Sequence, residues 1–490
     1  MNEKTLIDFL ALQNRWWYDK KDFPLEKTNK FKRSDYSHLY GKSLGAKEAT
    51  VIIGPRGVGK STVMFEIIRE LLGVNNGSSA RESNIDGRRI IYATFEDPSV
   101  RKAGILEILG IYAKYILKED ISRLGGKIHV FFDEIQNLED WGSQIKAVQD
   151  LGYPIKFFLT GSSSVAMMNE SSKAARRLSL YMMQPMKFSD FARYKVNDTA
   201  FEEVLGRFKE ARQVLKASFG KKDPHAVYEM FLRFYGDFKP WQVKIEISFR
   251  EYMIKGGYPA FLGNEDYVQC SAQLNETFRL GFHKDMVIGS GVRDPRGIMA
   301  LTEYIASISS GRTNYRSLME HANIASNSRE MRKYLYQLET SMLVGISRSF
   351  TKIAGKSGSE FKIYLTDIAV RNMLVGMMNE LLFKDEVQLG YMIETLVYDH
   401  ILRLNHKFLP GSSLYYWNGK KQGEVDIIMN PGSLIPVEVK KEDSPSLPDV
   451  GGLRTFEKKH GVPGIVICGK KLALEENTVF VPSWLFVLMC

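Results

Sequence analysis

The chain has 490 residues, of which 44% are hydrophobic and 25% charged, and its formal net charge is +10. Such a chain is long enough for roughly three folded domains, and its basic balance is typical either of a protein that binds polyanions or of a mildly basic enzyme. No apolar run reaches the roughly 18 residues that cross a bilayer, and the charged N-terminal segment lacks the apolar core of a signal peptide. The three cysteines are widely spaced, which argues against a disulfide framework and a zinc site. We therefore expect a cytoplasmic protein without a membrane partner.

In chain order, the apolar periodicity predicts five regions of different character. A helical, aromatic-rich segment comes first, and an α/β core with P-loop chemistry follows it. Next come a long helical region, a short stretch of two or three helices with a hairpin, and a second α/β domain. The predicted boundaries are 1–45, 46–192, 193–299, 300–366 and 367–490.

The first α/β region contains four short, β-rich apolar runs that helical stretches separate. This alternation is typical of a parallel sheet covered by helices on both faces. The runs lie at 49–53, 89–93, 128–132 and 155–159.

A complete P-loop motif, G-x-x-x-x-G-K-[ST], begins where the first run ends and a helix follows it. The glycines let backbone N–H groups face phosphates, Lys60 supplies a cation to the β- and γ-phosphates, and the Ser61 hydroxyl is a Mg²⁺ ligand. We therefore predict binding of ATP with Mg²⁺. The predicted nucleotide-binding residues are Gly54, Pro55, Arg56, Gly57, Val58, Gly59, Lys60, Ser61 and Thr62.

Two carboxylates end the strand at 128–132. We expect Asp133 to hold the Mg²⁺ hydration shell and Glu134 to orient or deprotonate the attacking water. The next strand ends in a hydroxyl-rich run, from which we select Thr160 and Ser162 as groups that lie between the carboxylates and sense the γ-phosphate. A serine-rich helix cap is the alternative interpretation of this run.

These residues resemble a prokaryotic, chiefly archaeal, family of AAA-type (AAA+) P-loop ATPases. The similarity is carried by the sequence DEIQN from Asp133, by LTGSSS from Leu159 and by PMKFSDF from Pro185, and it resumes at FREY and GGYP near residue 250. Residues 193–245 stand as an insertion in that pattern. The resemblance implies a trans-acting arginine finger at Arg177 or Arg176, and hence ATP sites shared in a homo-oligomer; a solvated helix face is the alternative for both arginines.

Residues 310–365 have the layout of a winged helix-turn-helix, which the family also carries here. Nine Lys or Arg residues stand against four Glu residues in this stretch. Arg329, Arg332 and Lys333 lie on the second predicted helix, where contacts with DNA are usually made. A packing module or a protein contact is the alternative interpretation.

The C-terminal region carries the pattern D…ExK in Asp426, Glu438 and Lys440. Two carboxylates would bind Mg²⁺ or Mn²⁺ and the lysine would orient the water, while Glu394 on the preceding helix is a further metal ligand. The resembling family ends in such a restriction-endonuclease-like domain. An ordinary Glu-x-Lys ion pair on a strand is the alternative.

Together the patterns predict an ATP-hydrolysing enzyme that acts on DNA, with a metal-dependent nuclease-like C-terminal domain. Two alternatives remain open at this point. One is a nucleotide-controlled switch whose C-terminal domain only binds DNA or protein, and the other is a branch-migration or helicase-like motor without nuclease function.

Overall fold

The computed structural model describes residues 3–28, 31–74, 84–162, 164–283, 286, 292, 294–322, 324–325, 327–350, 360–409, 411–419 and 422–490. The chain forms two compact units. The first contains Met1–Gln184 and Leu280–Val292, and the second contains Pro185–Arg279 and Arg293–Cys490.

The first unit is built on a five-stranded sheet with the order β2-β3-β4-β1-β5, in which all the paired strands are parallel. Four strands match the four predicted runs, and the predicted P-loop α/β core is confirmed. The fifth, β5, was not predicted, because all of its residues are at least partly exposed and it lacks a continuous apolar run. The strands are β1 (Ala49–Ile53), β2 (Ile90–Thr94), β3 (Ile128–Asp133), β4 (Ile155–Gly161) and β5 (Leu178–Met182).

The N-terminal segment covers the free edge of β2. The side-chain oxygen of Asn14 accepts from the Tyr92 amide at 2.6 Å, and its Nδ2 donates to the Tyr92 carbonyl at 2.7 Å. The indole nitrogens of Trp16 and Trp17 both donate to the Ile90 carbonyl. Because an open sheet edge presents unpaired backbone groups, this cover satisfies the edge with side chains in place of a further strand.

Seven α-helices accompany this sheet in the described residues. Their bounds are α1 (Glu3–Gln13), α2 (Ser34–His38), α3 (Lys60–Leu72), α4 (Pro98–Arg101), α5 (Ile105–Tyr112), α6 (Trp141–Asp150) and α7 (Ser164–Lys173).

The second unit begins with the predicted helical region. A close approach fixes its centre: the Met186 amide donates to the Gly257 carbonyl at 2.8 Å, and a Cβ on Gly257 would lie 1.8 Å from the Met186 carbonyl oxygen. This close approach of the two backbones therefore requires glycine at position 257. The α-helices of this region are α8 (Phe188–Val196), α9 (Thr199–Gly206), α10 (Phe208–Lys221), α11 (Pro224–Asp237), α12 (Gln242–Lys255), α13 (Tyr267–Phe282) and α14 (Pro295–Ser307).

A nine-stranded mixed sheet with the order β13-β14-β12-β11-β10-β9-β7-β8-β6 dominates the rest of the unit. Its strands are β6 (Arg312–Asn314), β7 (Val344–Ser349), β8 (Glu360–Leu365), β9 (Tyr415–Asn418), β10 (Glu424–Met429), β11 (Ile435–Val439), β12 (Gly464–Cys468), β13 (Ala473–Glu475) and β14 (Thr478–Pro482). The helices are α15 (Tyr315–Ala322), α16 (Ser328–Thr340), α17 (Ile368–Leu374), α18 (Glu386–Phe408), α19 (Gly451–His460) and α20 (Ser483–Met489).

This sheet continues across residue 366, where the sequence suggests a domain boundary. The predicted hairpin forms β7 and β8, and Arg348 and Ser349 of β7 pair in parallel with Tyr415 and Tyr416 of β9. The hairpin strands are thus part of the same sheet as the strands that carry the D…ExK residues.

The C-terminal core lies between this sheet and α19. Its members are buried apolar side chains from β9, β10, β12, β14, α19 and the residues that flank α19: Trp417, Val425, Ile428, Val450, Leu453, Phe456, Val462, Val466, Cys468 and Phe480. Within the described residues, no helix is long and apolar enough to cross a membrane.

Candidate functional site

The P-loop has the backbone conformation that its glycines predict. Gly57 and Gly59 have φ of 83° and 94°, values that favour glycine over residues with a side chain. A Cβ on Gly54 would lie 1.9 Å from the Met183 carbonyl oxygen, so this position also needs glycine. Helix α3 begins directly after the loop, at Lys60.

Lys60 lies folded back on the loop that precedes it. Its Nζ donates to the carbonyls of Gly54 at 2.9 Å and Pro55 at 3.0 Å, and the residue is buried. Ser61 and Thr62 follow in the first turn of α3 and are partly exposed beside a cavity of about 300 Å³. That cavity is also lined by Glu26, Lys27, Thr28, Phe65 and Tyr92.

A buried arginine, which the sequence did not point to, hydrogen-bonds the backbone of the P-loop. Arg33 donates to the Val58 carbonyl at 2.6 Å and to the Gln184 carbonyl at 2.7 Å, and it pairs with Asp35. A lone arginine in a basic stretch gives no sequence signal of this role, because its partners are backbone carbonyls distant in the chain.

Asp133 is buried at the end of β3, and two hydroxyl groups contact its carboxylate. Thr160 Oγ1 donates to Oδ1, and the hydroxyl of Tyr92 donates to Oδ2 at 2.9 Å. Thr160 also accepts from the amide of Glu134 at 3.2 Å. The structure therefore places Thr160 between the two acidic residues, whereas Tyr92 was not foreseen, since it stands inside an apolar strand.

Glu134 is held by side chains in an unusual backbone conformation, with a φ of 53°. Its Oε2 accepts from Ser162 Oγ at 3.1 Å and from Nε2 of Gln136. A non-glycine residue in this region stores strain that often marks a functional position. Gln136 belongs to the recognised DEIQ sequence, but its contact with the glutamate is visible only in the structure.

Arg177, the predicted trans-acting arginine, lies half-exposed on the surface of the first unit. Its Nη2 pairs with Asp150 Oδ1 at 2.7 Å, and its side chain is 51% exposed. Arg176 is exposed as well. A role of either residue toward a second copy of the chain stays a prediction.

In the second unit, the structure brings the D…ExK residues together. The register that pairs Ile427 with Val437 in antiparallel strands places Asp426 opposite Glu438. On the other side of β10, the pairing with β9 shifts register between Val425 and Ile428. Asp426 Oδ2 accepts from the Val439 amide at 2.9 Å, and Lys440 Nζ pairs with Glu438 Oε1 at 3.0 Å. Among the described residues, Glu438 Oε2 is buried without a hydrogen-bond partner.

A second lysine, Lys362 of β8, lies in the middle of this group. Its Nζ contacts Glu394 Oε1 at 2.9 Å, Asp426 Oδ1 at 2.8 Å and Glu424 Oε1 at 2.6 Å, and its side chain is only 4% exposed. Sequence reasoning missed it, although a lysine inside the apolar strand sequence EFKIYL was a signal. We call Lys362, Glu394, Glu424, Asp426, Glu438 and Lys440 the C-terminal ion cluster.

Burial governs the protonation of this cluster. It raises the pKa of Glu394 and of Glu438, and the negative charge of Asp426 acts in the same direction. The pKa of Lys362 is held well above its ordinary value, because the charges of Asp426 and Glu394 outweigh the cost of burying the ammonium.

The donor set does not fit a bound divalent metal as it stands. A hard cation takes about six oxygen ligands, whereas one oxygen each of Glu394 and Asp426 already accepts from the Lys362 ammonium and the second oxygen of Asp426 accepts from the Val439 amide. No group of three or more His, Cys, Asp or Glu side chains in the described part of the chain is arranged to hold a metal ion.

The three predicted DNA-contacting residues share one exposed face of α16. Arg329, Arg332 and Lys333 are exposed, and Tyr336, at the next position on the same helical face, is 66% exposed. Arg332 lies 4.9 Å from the ring of Tyr315. We call Arg329, Arg332, Lys333 and Tyr336 the basic stripe.

Three family models match parts of the chain. A family described as an AAA domain matches residues 46–192, and two domains of unknown function match residues 246–381 and 389–486. The first match coincides with the predicted core and contains every residue of the P-loop and both carboxylates of β3.

Among curated proteins, an uncharacterized protein of Methanocaldococcus jannaschii is 23% identical over 383 residues, covering 77% of this chain and 71% of that protein. Among solved structures, the Walker-type ATPase of Pyrococcus abyssi covers 70% of this chain and 96% of its own at 14% identity and a TM-score of 0.37. The ORC1 protein of Aeropyrum pernix in complex with DNA covers 74% and 96% at 13% identity and a TM-score of 0.28.

The matched AAA domain, the parallel sheet and the P-loop at the end of β1 agree with one another. Residues 46–192 therefore form an AAA-type domain with the P-loop ATPase fold.

Proposed function

We propose that this chain is an ATP-hydrolysing enzyme that acts on DNA. The observation that carries the proposal is the pair Asp133 and Glu134, which the sheet delivers with hydroxyl partners at the carboxyl end of β3, the same edge at which β1 leads into the P-loop. In open α/β sheets, ligands bind at that edge.

Different residues of the first unit would bind the phosphates and ligate Mg²⁺. The backbone amides of the P-loop and the start of α3 would bind the phosphates, and Lys60 would exchange its two carbonyl acceptors for phosphate oxygens. Ser61 and Asp133 supply the hard oxygen atoms that suit Mg²⁺, which neutralises phosphate charge when bound.

Glu134 is the proposed base or orienting group for the attacking water. Ser162 and Gln136 hold its carboxylate, and Thr160 fixes its backbone amide, so its position depends on the end of the neighbouring strand β4. A γ-phosphate that engaged Thr160 or Ser162 would thereby change the orientation of the glutamate.

Two substitutions test this division by separating ATP binding from ATP turnover. Lys60→Ala should lose both, whereas Glu134→Gln should retain binding and lower kcat by about 10²–10⁴-fold, as expected for removal of a general base. Glu139→Gln, an exposed change in the same loop, serves as the matched control. Normal turnover by Lys60→Ala would refute the assignment of the site.

Action on DNA is supported by the basic stripe. The order of α14, β6, α15, α16 and the hairpin β7–β8 supports the winged-helix interpretation, in which the second helix of the turn contacts DNA. Exposed arginine and lysine side chains bind phosphate and release counterions, and an exposed tyrosine adds a surface for stacking.

DNA binding is tested by titration of duplex DNA at several salt concentrations. Each of Arg332→Gln and Lys333→Gln should reduce the slope of log affinity against log salt by about one. Lys458→Gln, an exposed change on α19, is the control. Unchanged affinity and slope in a triple variant of the stripe would contradict the proposal.

The two alternatives for the use of ATP give different turnover. A motor, including a branch-migration or helicase-like motor, should hydrolyse ATP severalfold faster with DNA, whereas a nucleotide-controlled switch should show slow turnover that DNA does not change. Strand displacement on forked and four-way DNA then identifies the motor.

The D…ExK pattern of the sequence also predicts that the second unit cleaves DNA. The unpartnered oxygen of Glu438 favours it, but the engagement of the other carboxylates by Lys362 opposes it. We therefore propose that this domain binds DNA or protein without cleaving DNA. Loss of DNA substrate that depends on Mg²⁺ or Mn²⁺ and disappears in Asp426→Ala would overturn this choice.

A further inference from the structure

The C-terminal ion cluster contains its own cation. The ammonium group of Lys362 donates hydrogen bonds to Glu394 Oε1 at 2.9 Å and to Asp426 Oδ1 at 2.8 Å, and it forms a third ion pair with Glu424 Oε1 at 2.6 Å. A buried charge is costly unless it is paired and hydrogen-bonded, and this one has three carboxylate partners.

The remaining charges of the cluster are also paired inside the chain. Lys440 pairs with Glu438 at 3.0 Å, and Arg312 of β6 contacts the second oxygen of Glu424 at 3.2 Å. Four carboxylates therefore face three cationic side chains, which leaves little negative charge for a divalent ion to neutralise.

Lys362 reaches the cluster from outside the D…ExK strands. In the sheet order, β9 and β7 separate β10 from β8, a span of about 14 Å in a flat sheet at ~4.8 Å per strand. A lysine that hydrogen-bonds Asp426 does not cover this span, so β8 and β10 lie closer together at the cluster than they would in a flat sheet. The fold itself, and not a local sequence pattern, places the ammonium among the carboxylates.

We propose that Lys362 takes the place of a divalent cation, so that the C-terminal ion cluster is complete without metal. Glu438 keeps one free oxygen, but one oxygen supplies a single ligand where a hard cation takes about six. The ammonium links β8 to carboxylates on α18 and β10, as a bound metal ion would link its ligands. Unlike a metal ion, it supplies no Lewis-acid chemistry. This inference does not depend on the proposed ATPase or on DNA binding.

Binding of Mn²⁺ alone, measured by electron paramagnetic resonance on the full chain without nucleotide, tests the proposal. All variants carry Lys60→Ala and Ser61→Ala to weaken the metal site of the P-loop. The chain with an otherwise unchanged cluster should show the same Mn²⁺ stoichiometry as one with Asp426→Asn and Glu438→Gln. An additional Mn²⁺ that these two changes remove would overturn the proposal.

Removal of the ammonium should create the metal site. Lys362→Met should gain about one Mn²⁺ per chain, and Asp426→Asn in the same protein should abolish that gain. The Tm of the Lys362→Met protein should fall by several degrees and recover on addition of Mn²⁺, whereas Lys458→Met should show neither effect. A folded Lys362→Met protein that gains no Mn²⁺ would contradict the proposal. If this variant does not fold, the stoichiometry of the unmodified cluster decides.

Discussion

The acidic residues at the end of β3 and those of the C-terminal ion cluster have the same chemistry but different partners. Two neutral hydroxyl groups, those of Thr160 and Tyr92, donate to the carboxylate of Asp133, and Ser162 and Gln136 donate to that of Glu134. The carboxylates of the cluster are held by Lys362 and Lys440. Neutral donors orient a carboxylate and leave its charge available to a metal ion, whereas an ammonium neutralises it. The two regions thus differ in the groups that donate to their carboxylates, and not in the carboxylates themselves.

The largest expected effect comes from removing the internal cation. Lys362→Met leaves buried carboxylates that repel one another, and breaking a buried ion pair typically costs about 3–5 kcal/mol of unfolding free energy. Urea denaturation at neutral pH in a metal-free buffer measures this loss. Lys458→Met should change stability by less than about 0.5 kcal/mol. If Lys362→Met lost no more unfolding free energy than Lys458→Met, the ammonium would not hold the carboxylates of the cluster, and the contrast with Asp133 and Glu134 would fail.

In the first unit, loss of a neutral partner should affect turnover more than folding. Thr160→Val removes the hydrogen bond to Asp133 and the acceptor of the Glu134 amide, and a hydrogen bond to a charged group contributes about 1.5–3 kcal/mol. We expect kcat to fall by about 10–100-fold, measured by phosphate release at saturating ATP. Thr160→Ser, which keeps the hydroxyl, should recover most of the rate; equal rates in the two variants would show that the hydroxyl is not used.

The second unit should also respond to pH through a carboxyl outside the ion cluster. Burial raises the pKa of Glu457 to about 7, and Thr478 donates to its carboxyl at 2.8 Å. Because the folded pKa exceeds the unfolded one, this contribution is complete below about pH 4.5 and is lost as the pH rises through 7. The unfolding free energy should fall by about 1–3 kcal/mol between pH 5 and 8, and Glu457→Gln should lack this part of the decline. Parallel curves for the two proteins would assign the decline elsewhere.

The smallest effect is expected at the second hydroxyl on Asp133. Tyr92→Phe removes one hydrogen bond of about 0.5–1.5 kcal/mol and keeps the ring that packs against Phe65 at 4.7 Å. A decrease in kcat of about 2–10-fold is expected from phosphate release. A larger loss than that of Thr160→Val would reverse the order of importance that the structure suggests.

Short sequence motifs predicted the P-loop and the acidic pair of the first site. Gly54, Gly57, Gly59 and Lys60 lie within one short motif, and Asp133 and Glu134 end an apolar run, so both groups carry a local signal. Four strands of the first sheet were predicted from their short apolar runs. The fifth strand did not, because a half-exposed edge strand lacks the continuous apolar run of a buried one.

Only the tertiary structure revealed the supporting partners. Arg33 contacts the Val58 carbonyl 25 residues away, and Lys362 contacts Asp426 64 residues away on a strand that is not its neighbour in the sheet. The sequence determined that the chain contains a P-loop core and a strand-borne set of acidic residues. Which cation those acids contact was decided by the tertiary approach of β8 to β10, because contacts between distant segments leave no periodic pattern in the sequence.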